Sequence, residues 1–206
     1  GSDDITAKKP CRYDLNPIKH RGPVLRALLT GLDAWIREGK APPVSVYPRI
    51  AEGSLVSLET FRSQFPKIPG VEPPAQIYRP LRLDPGPRWE GEGIADHVPP
   101  KTGEPYVTLV PAVDANGNEQ AAITLPEITA PRGTATGWNV RDEAYGAGGV
   151  LAGLQGAWFP FAETKAEREA KGDPRPSLEE LYPDRGTYLD AVAATLIVLR
   201  EGGYLL

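Results

Sequence analysis

The sequence predicts a mixed helix-and-strand protein, which taken alone is an α+β, loop-rich domain. Residues 23–38 and most of the last sixty residues carry apolar side chains at helical spacing. Two β-rich runs flank an Asn-Gly pair within residues 106–128. The chain has 23 prolines and 22 glycines in 206 residues, so long irregular segments are expected between these elements.

We interpret residues 1–206 as one domain with five segments. These are a terminal segment (1–15), a helix that packs on a larger core (16–40), a Pro-rich wrapping arm (41–103), a β-hairpin with the TGWN loop (104–141) and a helical C-terminal part (142–206). The chain has no methionine, even at position 1. This absence predicts that it is a piece of a longer protein.

The clearest helix of the first half is predicted over residues 23–38. Pro23 suits a first helical turn, where a missing N–H costs no hydrogen bond, and Gly39 is a typical helix stop. The apolar side chains on one face are Val24, Leu25, Leu28, Leu32, Trp35 and Ile36. A helix with one apolar face is expected to cover another part of the protein.

The Pro-rich arm contains three proline pairs, at 42–43, 73–74 and 99–100. Proline interrupts helices and is confined to sheet edges, so short strands and no long helices are expected here. Side chains of the buried type favour an ordered arm over a flexible linker; they are Ile50, Phe61, Phe65, Ile68, Tyr78 and Leu81.

A β-hairpin is predicted near 106–128, with strands over 106–110 and 121–125, because Asn116-Gly117 suits a tight turn between them. The same stretch, DANGNE, places Asp114, Asn116 and Asn118 like the first ligands of a calcium loop. Such a loop needs glycine at its sixth position and a bidentate acid at its twelfth. Those positions hold Glu119 and Leu125, so a turn is favoured over a metal site.

Three helices are predicted in the C-terminal part, near 164–171, 177–182 and 185–201. Thr164 and Ser177 each precede a glutamate by three residues, which is the pattern of a capping box. Asp184 is the expected cap of the last helix. That helix is broadly apolar, and such helices are normally clamped between other elements.

Composition excludes several classes of function. The net charge of −4 and the lack of a long basic run predict no nucleic-acid partner. No apolar run reaches the roughly 20 residues that cross a bilayer, so no membrane span is expected. A single cysteine, Cys11, and two distant histidines, His20 and His97, predict no disulfide, metal or cofactor site.

The sequence shows no complete catalytic pattern. No serine has the G-x-S-x-G frame of a nucleophile elbow, and Cys11 is more typical of an inert thiol. The TGWN loop is the best candidate for ligand binding. There, Trp138, Asn139 and Arg141 offer an indole, an amide and a guanidinium to a polar substrate. Anchoring of the loop to the core by Trp138 is the simpler alternative.

Five phrases occur in a fixed order along the chain: NPIKHRGPVLRALLTGLDAWIREGKAPPVSVYP, FPKIPGV, YVTLVPAVDANGNE, TATGWNVR and WFPFAETKAEREAKGDPRPSLEELYPDRGTYLDAV. Together they resemble the C-terminal part of a family of large, mainly bacterial proteins described as "alpha/beta hydrolase domain" proteins. The resemblance extends from about Cys11 to the end of the chain.

This resemblance implies an α/β hydrolase-type fold with a serine nucleophile, an acid and a histidine. The histidine comes last in chain order, and the resemblance places it upstream of Gly1, so no catalytic residue is expected here. The upstream hydrolase core is then the partner of this chain. Helix 23–38 would pack on that core, and the arm would shape the cleft for an ester or another small polar molecule.

A second interpretation is a free-standing binding module for a polar ligand such as a carbohydrate. Its support is the set of loop residues Trp89, Trp138, Asn139 and Trp158. A calcium-stabilised interaction domain is a third and weaker interpretation. The apolar last helix leaves a homo-oligomer open, and the compartment (bacterial cytoplasm, periplasm or exterior) depends on upstream sequence.

Overall fold

The computed structural model describes residues 10–18 and 21–206. In this part of the chain the helices are α1 Gly22–Glu38, α2 Leu58–Gln64, α3 Trp89–Glu92, α4 Pro126–Thr129, α5 Lys165–Lys171, α6 Leu178–Leu181 and α7 Arg185–Glu201. The strands are β1 Leu55–Val56, β2 Leu81–Asp84, β3 Lys101–Pro105, β4 Val110–Pro111, β5 Gly133–Ala135 and β6 Trp158–Pro160. Short 3-10 turns occur at Ile50–Glu52 and Glu143–Tyr145. The predicted mixture of helices and strands is confirmed.

The described strands form three antiparallel pairs, β1 with β4, β2 with β3, and β5 with β6. β5 and β6 are 22 residues apart in sequence and pair Thr134 with Phe159. This pair lies against the core, and all three residues of β5 are buried.

The predicted hairpin forms only at its turn. Val113 bridges to Glu119, and the N–H of Gln120 donates to the carbonyl of Ala112 at 3.2 Å. The expected strands over 106–110 and 121–125 do not pair with each other. The reason is that β4 pairs with β1 instead, so that the Ala112 N–H donates to Ser54 at 2.9 Å.

The Pro-rich arm divides into two parts with different environments. The first contains α2, a helix that no sequence pattern predicts because it is short and lies between prolines. The Ser57 hydroxyl caps α2 by accepting a hydrogen bond from the N–H of Thr60 at 3.1 Å. The second part is the β2–β3 ribbon, in which every residue of both strands is exposed.

The core is an aromatic cluster to which the N-terminal segment, α2, the TGWN loop and β6 contribute. Tyr13 meets Phe159 edge-on with ring centroids 5.1 Å apart, and Phe65 meets Trp138 edge-on at 5.6 Å. Edge-to-face contact sets the positive edge of one ring against the negative face of the other. The cluster therefore joins segments that are more than a hundred residues apart.

The three C-terminal helices begin as predicted. The hydroxyls of Thr164 and Ser177 and the carboxylate of Asp184 each accept a backbone hydrogen bond from the first helical turn. At Ser177 the capping box is complete, because Glu180 binds back to the Ser177 N–H at 2.9 Å. None of the helices in the described ranges is both long and apolar enough to span a bilayer.

Candidate functional site

Asn139 of the predicted binding loop is buried, with 1% of its surface exposed. Its side-chain amide nitrogen donates to the carbonyl of Tyr13 at 3.1 Å, and its oxygen accepts from the N–H of Tyr13 at 3.3 Å. The same oxygen accepts from the N–H of Val140 at 2.9 Å. The amide thus binds the N-terminal segment to the TGWN loop.

Trp138 and Arg141 also have neighbours within the chain. The indole of Trp138 packs in the aromatic cluster, 5.6 Å from the ring of Phe65. The guanidinium of Arg141 donates to the carbonyls of Tyr145 and Gly146 at 2.8 and 3.0 Å, which closes the following loop. The structure keeps these residues adjacent in one loop, and their role in substrate binding stays a prediction.

The DANGNE stretch is a tight turn held by its own aspartate. Asp114 Oδ1 accepts hydrogen bonds from the N–H groups of Asn116 and Asn118 at 2.8 and 2.9 Å. Gly117 has φ of 83°, which glycine adopts without strain. Among residues 10–18 and 21–206, no three His, Cys, Asp or Glu side chains converge as metal ligands would.

Asn118 attaches this turn to β5. The side chain is fully buried, its amide nitrogen donates to the Gly133 carbonyl at 3.3 Å, and its oxygen accepts from the Ala135 N–H at 2.8 Å. Thr134 lies between Gly133 and Ala135 in sequence, and its hydroxyl donates a hydrogen bond to the carbonyl of Asn116. The side-chain oxygens Asp114 Oδ1 and Asn118 Oδ1 are therefore used for folding.

A buried ion pair between Arg175 and Asp173 was not found from the sequence. Their side chains are 2% and 9% exposed, and Arg175 Nη2 lies 2.6 Å from Asp173 Oδ2. Burial opposes ionisation of the carboxyl, but the hydrogen bonds and charge of Arg175 outweigh it, so the pKa of Asp173 lies below its ordinary value. The compact pattern DPRP (173–176) is the only local sequence signal for this pair.

The guanidinium of Arg175 also organises the β5–β6 pair. It donates to the hydroxyl of Thr134 at 2.9 Å and to the carbonyl of Phe159 at 2.8 Å. Its carbon atom lies 5.1 Å from the ring centroid of Phe161, in cation–π contact. These bonds satisfy a buried cation and give it a structural role.

Three side chains with nucleophilic or basic chemistry, those of Cys11, Ser177 and His97, have the following environments in the described chain. Cys11 is buried, and burial raises the pKa of its thiol, which disfavours the reactive thiolate. Ser177 is fully buried as a helix cap. His97 has its Nδ1 atom 3.2 Å from the carbonyl of Asp84, and no hydroxyl or thiol is among its hydrogen-bond partners; His20 lies outside the described residues.

Asp96, the neighbour of His97 in sequence, pairs with Arg88. The carboxylate of Asp96 binds the guanidinium of Arg88, with Oδ1 2.5 Å from Nη2. The hydrogen bond from Arg88 is the main reason that the pKa of Asp96 is lowered. The cavity beside His97, in the β2–β3 ribbon, has no serine, threonine or cysteine in its lining.

A separate cavity of about 350 Å³ lies between β6, α4 and the start of α7, and we call it the α4–α7 cavity. Trp158, Phe161 and Tyr188 give it aromatic walls. Its charged lining residues are Glu127, Arg132 and Glu163. No sequence pattern indicates this cavity, because its lining comes from segments far apart along the chain.

The model of the family described as "Alpha/beta hydrolase domain" matches residues 2–206. The chain belongs to this family. No curated protein and no solved structure matches it. The resemblance inferred from the five phrases is thereby confirmed at the level of the family, and the chain is hydrolase-like by descent.

In this alpha/beta hydrolase family chain, helix α1 leaves an apolar stripe exposed. The stripe consists of Leu25, Leu29, Leu32 and Ile36, spaced i, i+4, i+7 and i+11 so that they lie in one line. Their exposed fractions lie between 44% and 75%, and Ala27 is the buried residue of the helix.

Helix α7 also leaves large apolar side chains exposed. One side of it packs on α4, where the Thr195 and Thr129 hydroxyls bond at 2.6 Å, and Leu199 is buried. Leu189, Ile197 and Val198 are 48–67% exposed and point in different directions around the helix axis, because successive residues are offset by about 100°. Each of the two longest helices thus directs large apolar side chains to solvent.

Proposed function

We propose that the chain is the non-catalytic C-terminal portion of an alpha/beta hydrolase-like protein, a serine esterase or related hydrolase. In this role it completes the hydrolase core and shapes the substrate cleft. The observation that carries the proposal is the exposed apolar stripe of α1, together with the exposed apolar side chains of α7. The chain belongs to the alpha/beta hydrolase family, and the partner in this proposal is an upstream hydrolase core.

The stripe of α1 is large enough to make a stable contact. Complete burial of a large aliphatic side chain contributes about 1.5–3 kcal/mol, so burial of the exposed half of four such side chains would add on the order of 3–6 kcal/mol. A line of four such residues over three turns suits a flat apolar partner such as a sheet face. Soluble proteins seldom leave a stripe of this kind in water.

The exposed apolar side chains of α7 support the same arrangement. A helix that is apolar on all sides is normally buried on all sides. Leu189 and Ile197 are exposed and do not belong to the described aromatic cluster. Contact with an upstream core would bury them.

The side-chain chemistry supports a non-catalytic role. The buried hydroxyl of Ser177 and the buried thiol of Cys11 are inaccessible to substrate, and His97 is bonded to Asp84. Reaction with an ester needs a nucleophile, a base and donors for the developing oxyanion. We assign these groups to the upstream core. This chain contributes the walls of the cleft.

The alternative of a free-standing carbohydrate-binding module has less support. Such modules place aromatic rings along one surface, but Trp138 packs in the aromatic cluster and Trp158 lines the α4–α7 cavity. Trp89 lies in the exposed ribbon and lines the cavity beside His97.

The proposal is tested by comparing the chain alone with the chain joined to its upstream sequence. Hydrolysis of p-nitrophenyl acetate is expected from the joined protein and not from the chain alone. Hydrolysis by the chain alone at a comparable rate would overturn the proposal.

A pair of variants tests the stripe itself. Leu29→Glu is expected to lower the melting temperature of the joined protein while changing that of the chain alone very little. Thr30→Glu is the matched control, because it adds the same charge on an exposed position of α1 outside the stripe. Equal effects of the two variants would show that the stripe has no partner in the core.

A further inference from the structure

We propose that the α4–α7 cavity binds a small amphipathic carboxylate, with its apolar body against Trp158 and Phe161 and its carboxylate on Arg132. This inference concerns a site within the chain and does not rest on the proposed hydrolase role. It rests on three features of the cavity: its size, the chemistry of its walls and the state of its arginine.

The size and the walls suit a small ligand with an apolar body. A volume of about 350 Å³ falls at the lower end of the range of ligand pockets, roughly 300–1,000 Å³. Phe161 is buried, and Trp158 is half-buried in β6, so the wall is held by the β5–β6 pair. Aromatic walls on a rigid strand favour a flat or branched hydrocarbon group.

Arg132 is the feature that selects the charge of the ligand. Within the described part of the chain its guanidinium has no ion-pair or hydrogen-bond partner, whereas Arg168 and Arg175 each bind a carboxylate. Its backbone is fixed, because its carbonyl accepts a hydrogen bond from the N–H of Phe161 at 3.0 Å. A guanidinium next to an apolar wall matches the two oxygens of a carboxylate.

Two carboxylates also line the cavity and oppose a bound anion. Glu127 already has an interaction within the protein. Glu163 is exposed, as Arg132 is, so water screens both charges. Because the Glu163 carboxylate repels a bound anion, removal of its charge is a second, independent test of the sign of the charge on the ligand.

Calorimetric titration with three probes of the same hydrocarbon body tests the site: phenylbutyrate, phenylbutanol and phenylbutylamine. The titration uses the longest protein that contains this chain, so that any segment that contacts α1 or α7 in that protein is present. We expect phenylbutyrate to bind most tightly and to shift the NMR signal of the Trp158 indole N–H. Failure of phenylbutyrate to bind up to millimolar concentration, or a preference for the amine, would overturn the proposal.

Charge variants then assign the binding group. Arg132→Gln is expected to weaken phenylbutyrate binding about tenfold, the loss of one charge-assisted pair, and to leave phenylbutanol binding unchanged. Glu163→Gln is expected to tighten phenylbutyrate binding, and Arg79→Gln, an exposed arginine at another cavity, to leave it unchanged. Equal binding of phenylbutyrate by Arg132→Gln and by the unaltered protein would exclude Arg132 as its receptor.

Discussion

Replacement of Asp173 by asparagine leaves the buried guanidinium of Arg175 without its counter-charge. Asp173 now makes three contacts with Arg175: Oδ1 to Nε and to the backbone nitrogen, each at 3.0 Å, and Oδ2 to Nη2 at 2.6 Å. The hydroxyl of Thr134 and two backbone carbonyls would remain as acceptors, but they carry no charge. Removal of one partner of a buried ion pair destabilises a protein by about 3–5 kcal/mol. We expect Asp173→Asn to lose that much.

The measurement is equilibrium unfolding in urea, followed by tryptophan fluorescence, at neutral pH. Asp190→Asn, which removes an exposed carboxylate on α7, is the control and should change the unfolding free energy by less than about 0.5 kcal/mol. A double variant, Asp173→Leu with Arg175→Met, replaces the pair by apolar groups and should recover most of the loss. A loss below about 1 kcal/mol for Asp173→Asn would refute the assignment of a buried, dehydrated pair.

The pH dependence of this difference has a defined sign. Because the pKa of Asp173 is lowered in the folded state, its contribution is complete above the unfolded pKa of about 3.9. It is lost as the pH falls through the folded value. The difference in unfolding free energy between the unaltered protein and Asp173→Asn should therefore shrink below about pH 4.

Three further outcomes are expected. Gly133→Ala should destabilise the protein by about 1–3 kcal/mol in urea unfolding, because its Cβ would lie 2.7 Å from the carbonyl oxygen of Phe159; an unchanged midpoint would contradict the close β5–β6 contact. Asn118→Ala should lower the unfolding free energy by about 2–3 kcal/mol, because it leaves the Ala135 N–H without a partner, whereas Asn116→Ala, on the same turn, should change it less. Glu180 should titrate with a pKa of about 2 in carbon-detected NMR, because the N–H and hydroxyl of Ser177 bind its ionised form. The contribution of Glu180 to the stability of α6 is therefore complete above pH 4.5 and is lost as the pH falls toward 2. An ordinary titration near 4.5 would contradict the capping box.

The elements that the sequence predicted are those coded by local patterns. Caps at Thr164, Ser177 and Asp184 and the stop at Gly39 each act within one helical turn, so neighbouring residues suffice to identify them. Helix α2 has only a serine cap and seven residues, too few for a clear helical period among prolines.

The strand pairs could not be predicted because their partners are distant. β1 pairs with β4 more than fifty residues later, and this choice ends the hairpin at its turn. Apolar runs such as 121–125 have strand propensity, but propensity does not specify a partner, and tertiary contacts decide.

The candidate sites were missed for a related reason. The α4–α7 cavity brings together Arg132, Trp158 and Tyr188 from three elements, and no spacing along the chain connects them. The sequence indicates the polar and aromatic chemistry of the TGWN loop. It does not show that the side-chain amide of Asn139 forms hydrogen bonds with the backbone of Tyr13. The same type of polar residue in a loop can bind a ligand or the backbone of its own chain, and the sequence does not distinguish these two roles.

Asn118 and Asn139 have a consequence for which mutations the chain can tolerate. The oxygen of each side-chain amide accepts a hydrogen bond from a backbone N–H, and its nitrogen donates one to a backbone carbonyl. Each amide thus forms the same pair of bonds as a peptide group of a neighbouring strand would. Aspartate would turn an oxygen toward a carbonyl, glutamine is one carbon too long, and apolar residues would leave buried backbone groups unsatisfied. Both positions should accept asparagine alone, and deamidation of either would act as a destabilising mutation during the life of the protein.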